Sequence, residues 1–321
     1  MPKVSVLLGS SRPGGIDVSL LGLEAQTYDD FEVIFVDGRY HQRHGLVLDA
    51  VERSGLKAPF FHVPNHRYGE PPWTSICAGF NTGFMLAAGE IVIMLCDYAY
   101  APPGWIEAHL ACHTEPGMVV APHRYREMPP TVTIRNDYES TTHFLDPITV
   151  DAVLSSSVQP QEVNDSKLVM PDGPVNHLYM HTKNESFPLD NVLAIGGMDE
   201  NYDRGRGPGD HCIGHRLIDS GLQGWLCGAA TVEVLNPRGI MPNPNIAIGE
   251  ENLGERWGIV TGNAYYHATA NRKRANNPYN IWRRRNDIWH WRELSQNLEA
   301  VIPKNIVPDA EYFSKCEFQY P

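Results

Sequence analysis

The sequence is poor in the features that mark secreted scaffolds and membrane proteins. It has six cysteines among 321 residues, none in a Cys-x-x-Cys pair, so neither a disulfide-rich scaffold nor a zinc ribbon is expected. No apolar run approaches the roughly 20 residues of a membrane-spanning helix. The N-terminus leads directly into a strand-like segment, without the pattern of a signal peptide. We therefore expect a cytoplasmic protein with reduced thiols and no transmembrane segment.

An excess of positive charge is also absent. The chain has 26 Lys and Arg residues against 38 Asp and Glu residues, which gives a formal net charge of -12. Because affinity for nucleic acid depends on neutralising phosphates, this balance disfavours a general polyanion-binding surface. The exception is a basic cluster, defined here as the six cations between Arg272 and Arg285, a stretch without any acid. A nucleic-acid partner bound through this cluster is the weaker alternative.

The first 122 residues alternate strand-like and helix-like segments. The predicted strands are 4–8, 31–37, 59–63, 91–95 and 117–122. The predicted helices are 16–27, 43–54 and two more that flank the strand 91–95. Such alternation predicts an α/β fold, in which helices joined by right-handed crossovers cover a parallel sheet.

The remainder of the chain is less regular. Residues 123–190 show no clear period, and they are either an irregular insertion or a small antiparallel segment. A helix over 210–220 and two short strands before 235 follow. We divide the chain into an α/β half, a second half of the same domain, and a C-terminal loop and helical extension, with the bounds 1–122, 123–240 and 241–321.

Residues 76–110 form the most informative segment. A helical run ends at Gly89, and the continuous apolar run Ile91 to Leu95 leads to Asp97. An apolar run bounded by turn residues predicts a buried parallel strand. In open α/β sheets, ligands bind in the crevice beyond the carboxyl ends of such strands. Asp97 is therefore expected at a ligand-binding crevice, where a carboxylate binds a metal ion or a sugar hydroxyl.

Four segments, taken in order, resemble the family 2 glycosyltransferases, which have the GT-A fold. They are VSVLLGSSRPGG, QTYDDFEVIFVDG, AGFNTGFMLAAGEIVIMLCDYAYAPPGWIEAHL and AIGGMDENYDRGRGPGDHCIGHRLIDSG. The resemblance implies a GT-A-type, Rossmann-like sheet with a smaller mixed portion on the acceptor side. It also implies transfer of a sugar, expected to be UDP-linked, from a nucleoside diphosphate to an acceptor hydroxyl with inversion.

The resemblance also assigns roles to residues. The nucleotide-sugar-binding residues that it implies are Gly9, Ser10, Arg12, Asp37, Asn81 and Asp97. Asp37 would contact the base or the ribose, and Asp97 would lie at the diphosphate and the metal. Asp210 would be the general base that takes the proton of the acceptor hydroxyl. From the sequence pattern alone, Asp210 at a helix start is equally an N-cap, and Asp37 before a glycine is equally a turn residue.

Two departures from the family pattern affect these expectations. The acidic motif, usually Asp-x-Asp, is Asp97-Tyr98-Ala99 here and has a single carboxylate. The residue before Asp210 is Gly209, where the family usually has Glu. The first departure weakens the expected metal site, and the second removes a carboxylate from the acceptor side.

The single carboxylate makes the metal requirement an open question. A hard divalent cation prefers several oxygen ligands, and Asp97 supplies few of them. His267 or His211 would complete a Mn²⁺ site more readily than a Mg²⁺ site. Alternatively, the basic cluster would neutralise the diphosphate without metal, because arginine binds phosphate well. We expect a dependence on divalent cations that is weak.

Two rival functions remain at this point. A nucleotidyltransferase shares the strand–loop–strand arrangement, but it normally has a lysine after the first strand, where this chain has Arg12. A non-catalytic nucleotide-sugar-binding module would explain the incomplete acidic motif. The expected partners are a nucleoside diphosphate sugar and an acceptor hydroxyl on a glycan or a small molecule. The Trp-rich stretch near the C-terminus is either a face for a homo-oligomer or a cover over the sheet.

Overall fold

The structure of the chain, a computed structural model, describes residues 3–10, 16–38, 40–64, 76–113, 117–127, 149–159, 165–198 and 209–236. In this part of the chain, no helix is both long enough and apolar enough to cross a membrane. Arg12, His267, the basic cluster and the predicted extension over 241–321 lie outside the described residues. Predictions about them therefore stay predictions.

Strands and helices alternate along the described chain as the sequence pattern indicates. The strands are β1 Val4–Ser10, β2 Phe31–Asp37, β3 Phe60–Pro64, β4 Ile91–Cys96, β5 Ala99–Tyr100, β6 Gly117–Val120, β7 His123–Glu127, β8 Gly173–Val175, β9 Asn184–Pro188, β10 Gln223–Leu226 and β11 Val232–Asn236. The helices are α1 Ile16–Glu24, α2 Tyr40–Ser54, α3 Ile76–Leu86, α4 Trp105–Cys112, α5 Val150–Ser155, α6 Leu189–Ala194 and α7 Gly209–Asp219.

Within the described residues, eight strands form one sheet in the order β3–β2–β1–β4–β9–β6–β10–β8. β1 runs parallel to β2 and β4, β2 runs parallel to β3, and β6 runs parallel to β10. β9 and β8 run antiparallel to their neighbours. Parallel neighbours require crossover connections, which α1, α2 and α3 supply. The prediction of a mostly parallel α/β sheet flanked by helices is confirmed.

Helices cover both faces of this sheet because strands β1, β2 and β4 are largely apolar on both sides. Successive side chains of a strand point to opposite faces. On β1, Leu7 packs in the core beneath α3, α6 and α7, whereas Val6 and Leu8 pack in the core beneath α1, α2 and α4. Full burial of each aliphatic side chain stabilises the fold by about 1.5–3 kcal/mol. The two layers of helices hold the strand ends in fixed register, which positions the loops that follow them.

A strand that the sequence pattern does not reveal lies near the centre of the sheet. β9 pairs with β4 on one side and with β6 on the other, antiparallel to both. Its first three residues, Asn184, Glu185 and Ser186, are polar and completely buried. The sequence left residues 123–190 open between an irregular insertion and an antiparallel segment. For this part of them, the structure shows an antiparallel strand.

A second sheet, of three strands among the described residues, adjoins the carboxyl edge of the first. Its order is β5–β11–β7, with β11 parallel to β7 and antiparallel to β5. Only Asp97 and Tyr98 separate β4 from β5. The acidic segment is therefore the connection between the two sheets. This small sheet is the mixed portion that the resemblance implies.

Candidate functional site

The ends of three parallel strands bring Ser10, Asp37 and Asp97 to one edge of the sheet. In the strand register, Ser10 lies beside Asp37, and Gly9 lies beside Cys96. The Ser10 hydroxyl donates a 2.8 Å hydrogen bond to Oδ2 of Asp97. This contact joins the end of β1 to the acidic segment, 87 residues further along the chain. Two of the residues predicted at the donor site are therefore in direct contact.

Backbone strain is concentrated at the same edge. Among the described residues, Tyr98 and Thr182 are the non-glycine residues with positive φ, at 61° and 49°. Such conformations cost about 1–3 kcal/mol, and they cluster where function requires a particular geometry. Tyr98 directly follows Asp97, and Thr182 directly precedes Lys183. The amide of Cys96 donates to the Lys183 carbonyl at 3.0 Å, so the two strained turns lie side by side.

The Asp37 carboxylate is held by two basic side chains beneath this edge. Arg43 donates from Nε and Nη2 to the two carboxylate oxygens at 2.7 and 2.8 Å, and His62 Nε2 lies 2.9 Å from Oδ2. Burial alone would raise the pKa of Asp37, but the Arg43 charge and the hydrogen bonds from both partners hold it well below its usual range. Asp37 has no exposed surface. Its contact with a nucleotide remains a prediction, and its observed partners are residues that the sequence analysis did not identify.

A second histidine extends this network towards the surface. His62 Nδ1 lies 2.9 Å from Nδ1 of His44, which is partly exposed on α2. An ionised Asp37 accepts the Nε2 proton of His62, so the hydrogen-bond geometry assigns Nδ1 of His62 as the acceptor from His44. Burial lowers the pKa of His62 despite its bond to Asp37, and it therefore stays neutral. A single Asp–His–His chain thus runs from the strand end to α2.

Asn81 binds the backbone of the loop before α7. Its amide donates to the Met198 carbonyl at 2.9 Å and accepts from the Met198 N–H at 2.8 Å. Because Asn81 is 2% exposed, these two bonds fix the loop against the buried face of α3. Asn81 thereby anchors the chain just before the segment that leads to Asp210. A contact of Asn81 with the sugar nucleotide stays a prediction.

A buried carboxylate holds the turn that carries Lys183. The Glu185 side chain accepts backbone N–H bonds from His181, Lys183 and Asn184 at 2.9, 2.8 and 3.0 Å. Lys167 Nζ lies 3.9 Å from Glu185 and 3.2 Å from Asp165. Burial raises the pKa of Glu185, and these partners only partly oppose the rise. Three backbone bonds to one rigid carboxylate keep the strained turn in place.

Asp210 lies in the first turn of α7, close to this turn. Its Oδ1 accepts the N–H of His211 at 2.9 Å. Burial raises the pKa of Asp210, while the charges of His211 and Lys183 oppose the rise. The charge of Asp210 in turn raises the pKa of Glu185. Asp210 is therefore electrostatically linked to the turn beside β4, whose end carries Asp97.

The described residues supply little of a metal site. In the ranges that the structure describes, no group of three or more His, Cys, Asp and Glu side chains has the arrangement that a metal ion needs. The second acidic position of the family motif is Ala99, which is fully buried in β5. Asp97 is therefore the one carboxylate that the motif contributes. His211 contacts the His177 carbonyl at 3.3 Å and the ring of His181, rather than Asp97, in the contacts observed.

The functional candidates that sequence reasoning missed lie on β9 and the turn before it. Lys183 and Glu185 occur in the segment KNESFP, whose polar composition shows no strand period. The sequence carries one signal, a lysine and a glutamate two residues apart. That signal is too common to identify a site. Arg43 and His62 were missed because their link to Asp37 depends on the tertiary fold.

Comparison with known proteins identifies the fold. No family model matches the sequence, and no curated protein matches it. Among solved structures, the chain is similar to mannosyltransferase PcManGT from Pyrobaculum calidifontis in complex with GDP-Man and Mn²⁺, with 16% identity and a TM-score of 0.50 over 98% of this chain and 79% of that chain.

A further solved structure gives the same result. GalNAc-T7 with UDP, GalNAc and Mn²⁺ is similar at 12% identity and a TM-score of 0.54, over 93% of this chain. The chain spans 58% of the length of that GalNAc-T7 chain. At such identities the likeness establishes the architecture, and the assignment to family 2 in particular stays a resemblance. The chain has the GT-A fold of glycosyltransferases.

Proposed function

We propose that the protein is a glycosyltransferase that moves a sugar from a nucleoside diphosphate donor, expected to be UDP-linked, to an acceptor hydroxyl with inversion. The observation that carries the proposal is the bond between Ser10 and Asp97 at the carboxyl edge of the sheet. It joins two predicted donor residues at the place where open α/β sheets bind ligands. The donors named with the two similar structures, GDP-Man and UDP with GalNAc, support this class of substrate.

The donor would bind along the ends of β1 and β4. Gly9 lies at the end of β1 against the Phe80 ring, which an added Cβ would meet at an ordinary contact distance of 3.4 Å. A glycine lets the backbone approach a ligand closely. Ser10 orients Asp97 by donating to its Oδ2, and the Asp97 carboxylate would accept from a ribose or sugar hydroxyl. Arg12 and Asp37 would complete the nucleotide side, and Asn81 would hold the loop on the sugar side.

Asp210 would be the general base. In inverting transfer, the acceptor oxygen forms a bond to the anomeric carbon while the bond from that carbon to the diphosphate oxygen breaks. The acceptor proton passes to the base, and the electron pair of the broken bond stays on the nucleoside diphosphate. Burial raises the pKa of Asp210, which makes its carboxylate a better proton acceptor near neutral pH.

We propose that the reaction depends weakly on a divalent cation. Mn²⁺ or Mg²⁺ would bind through Asp97 and would stabilise charge on the diphosphate. The contribution would be small because Ala99 removes the second carboxylate of the motif. His267, which lies outside the described residues, is the other predicted ligand. Transfer measured with excess chelator is expected to fall only a few-fold, and complete loss would contradict weak dependence.

The experiment that tests the function begins with a thermal-shift panel of UDP- and GDP-linked sugars, with and without Mn²⁺. Asp210→Asn is then compared with wild type for donor binding, donor hydrolysis and transfer. We expect the variant to keep its thermal shift and to lose transfer by about 10²–10⁴-fold, the usual contribution of a general base. Asp219→Asn, at the exposed end of the same helix, is the matched control and should behave as wild type.

Three results would count against the proposal. Normal transfer by Asp210→Asn would remove the base from the mechanism. A product with retained anomeric configuration, measured by proton NMR, would exclude inversion. Donor binding without hydrolysis or transfer, across the whole panel, would favour the non-catalytic module instead.

A further inference from the structure

The incomplete acidic motif leaves negative charge at the proposed donor site without its usual partner. A departing nucleoside diphosphate needs cations close to its oxygens, because electrostatic stabilisation is a large part of phosphate leaving-group chemistry. In the family pattern, two acids hold a metal for this purpose, whereas this chain has Ala99 at the second position. This inference rests on the proposed function and concerns the residue that supplies the missing positive charge.

Lys183 lies beside the acidic segment and in its strand register. The antiparallel pairing of β4 and β9 places Asn184 opposite Leu95, and the Lys183 carbonyl then accepts the N–H of Cys96 at 3.0 Å. Cys96 directly precedes Asp97. The Lys183 backbone is therefore fixed beside Cys96, the residue before the aspartate that the resemblance places at the diphosphate.

The Lys183 ammonium is held by neutral partners. Its Nζ donates to the Tyr125 hydroxyl, lies 4.9 Å from the centre of the Tyr125 ring, and lies 3.4 Å from Nε2 of His123. Burial lowers the pKa of His123, so that ring stays neutral at neutral pH. Among the described residues, the observed contacts of this ammonium are with a hydroxyl and two rings, and none of them is with a carboxylate. Such an ammonium is suited to an incoming anion.

The groups around Lys183 determine its protonation state, and its turn lies near both the acidic segment and α7. Burial alone would lower the pKa of Lys183, but Tyr125, Cys96 and Glu185 raise it above 10.5, so the side chain stays protonated. Burial raises the pKa of Asp210, and the Lys183 charge partly opposes that rise. The backbone bond to Cys96 places Lys183 beside the acidic segment, and the ring contact of His181 with His211 joins the same turn to the first turn of α7.

A second lysine near this turn does not meet the same requirements. The Lys167 side chain has no exposed surface, and its ammonium lies between Asp165 and Glu185 while donating to the Tyr179 carbonyl at 2.9 Å. Its charge is already compensated inside the protein. Lys183, by contrast, is partly exposed, and the strained residue Thr182 presents it at the edge of the sheet. Glu185 holds that turn by accepting three backbone N–H groups.

We propose that Lys183 binds the diphosphate of the donor and stabilises the departing nucleoside diphosphate, in the place where related enzymes use a second acid and its metal ion. Tyr125 is its positioning residue, since the hydroxyl orients the ammonium without neutralising it. Lysine binds phosphate as a point charge and needs no fixed fork geometry. The charge of Lys183 accounts for the weak metal dependence expected above.

The test compares Lys183→Met with Lys183→Arg by isothermal titration with UDP, UMP and uridine, in the presence of a chelator. GDP, GMP and guanosine replace them if the panel selects guanosine-linked donors. Loss of a hydrogen bond to a charged group predicts that Lys183→Met weakens UDP binding by about 10- to 100-fold. Uridine binding should be unchanged, and Lys183→Arg should keep most of the UDP affinity. Lys57→Met, an exposed lysine on another surface, should behave as wild type.

The possible results distinguish a failure of the Lys183 proposal from a failure of the proposed function. If wild type binds neither UDP nor GDP, the proposed function fails. If wild type prefers UDP to UMP and Lys183→Met keeps that preference, only the role of Lys183 is overturned. Should Lys183→Met fail to fold, Tyr125→Phe provides the second test, because it keeps the ring and removes the hydroxyl that orients the ammonium. A several-fold loss of the UDP preference in Tyr125→Phe supports the proposal, and an unchanged preference contradicts it.

Discussion

Strands β2 and β9 lie in the same sheet and are both buried, yet they are built from opposite kinds of residue. Between its terminal acids, β2 is the apolar run Val33–Val36, whereas β9 begins with Asn184, Glu185 and Ser186. A buried polar strand is stable only if every polar group has a partner. β9 therefore depends on side chains from other elements, while β2 depends mainly on packing against helices.

The neighbours of β9 supply these partners. Asn184 donates to the carbonyls of Pro122 and Ala230 at 2.7 Å each, and it accepts from Nε1 of Trp105 at 2.9 Å. The His109 ring lies 2.9 Å from the Ser186 hydroxyl and 3.0 Å from Oδ1 of Asn184. The polar groups of β9 are thus satisfied by residues from three separate segments, namely α4, Pro122 and Ala230. Such a strand is specified by tertiary partners rather than by its own pattern.

The two strands also neutralise their carboxylates in different ways. Asp37, at the end of β2, is bound by the Arg43 and His62 side chains, whereas Glu185 on β9 is bound by backbone N–H groups with Lys167 close by. At β2, one cation, Arg43, and the neutral His62 serve a single acid. At β9, one lysine lies between two acids, Asp165 and Glu185, and the neutral His123 contacts only Asp165 of the two, at 2.9 Å. Removal of a single cation should therefore cost more at β9 than at β2.

The largest effect is expected for Lys167→Met. This change leaves Asp165 and Glu185 buried without their ammonium partner, and breaking a buried ion pair in this way costs about 3–5 kcal/mol. Urea unfolding at neutral pH measures the loss. Lys57→Met, on the exposed surface, is the matched control and should leave the midpoint unchanged. A small loss for Lys167→Met would show that Glu185 is held by the backbone alone.

A smaller effect is expected for Arg43→Met at β2. Asp37 loses two charge-assisted bonds but keeps His62, so the free energy of unfolding should fall by about 2–3 kcal/mol. His62 should then titrate at higher pH, because the nearby Arg43 charge that helps to lower its pKa is removed. Urea unfolding gives the first quantity, and histidine NMR titration gives the second. A loss larger than that of Lys167→Met would reverse the comparison between the two strands.

The smallest of the three effects concerns the pH dependence that His109 confers on β9. Burial lowers the pKa of His109 from 6.5 to about 3. Between these values the unfolded chain binds a proton that the folded chain excludes, so this contribution is complete above pH 6.5 and is lost as pH falls towards 3. From pH 7 to pH 5, His109 should account for about 2 kcal/mol of lost stability.

The variant His109→Gln provides the comparison for that pH effect. It should be less stable than wild type at pH 7, and its stability should fall less steeply between pH 7 and pH 5. Urea unfolding at several pH values measures both slopes. Equal slopes would show that His109 is not kept neutral by the interior of the sheet.

The sequence was sufficient for the part of the fold in which local pattern and burial agree. The apolar runs of β1, β2 and β4 predicted strands, and the family resemblance assigned both Ser10 and Asp97 to the donor site. The sequence was insufficient for β9, whose polar residues are buried because Trp105 and His109 bond to them across the fold. Sequence analysis missed Lys183 for the same reason, because its position depends on the pairing of β9 with β4.

For the candidate site as well, the sequence identified residues without establishing what each of them binds. Asp97 and Asp210 were identified from motifs that follow one another along the chain, and their roles remain proposals. Asn81 was assigned to the donor, which stays a prediction, and two of its observed bonds are to Met198. A sequence motif indicates that an amide is needed at a position. It does not indicate whether that amide binds the ligand or the neighbouring loop.

The most direct test of the central claim is hydrogen–deuterium exchange with and without saturating UDP, or with the nucleotide that the panel selects. If the donor binds at the carboxyl edge, protection should appear in peptides that contain Ser10, Asp97, the turn at Lys183 and the start of α7. Peptides at the opposite edge, such as the one that contains Gly89, should exchange as before. Protection confined to that opposite edge, with no change at Asp97, would contradict the account.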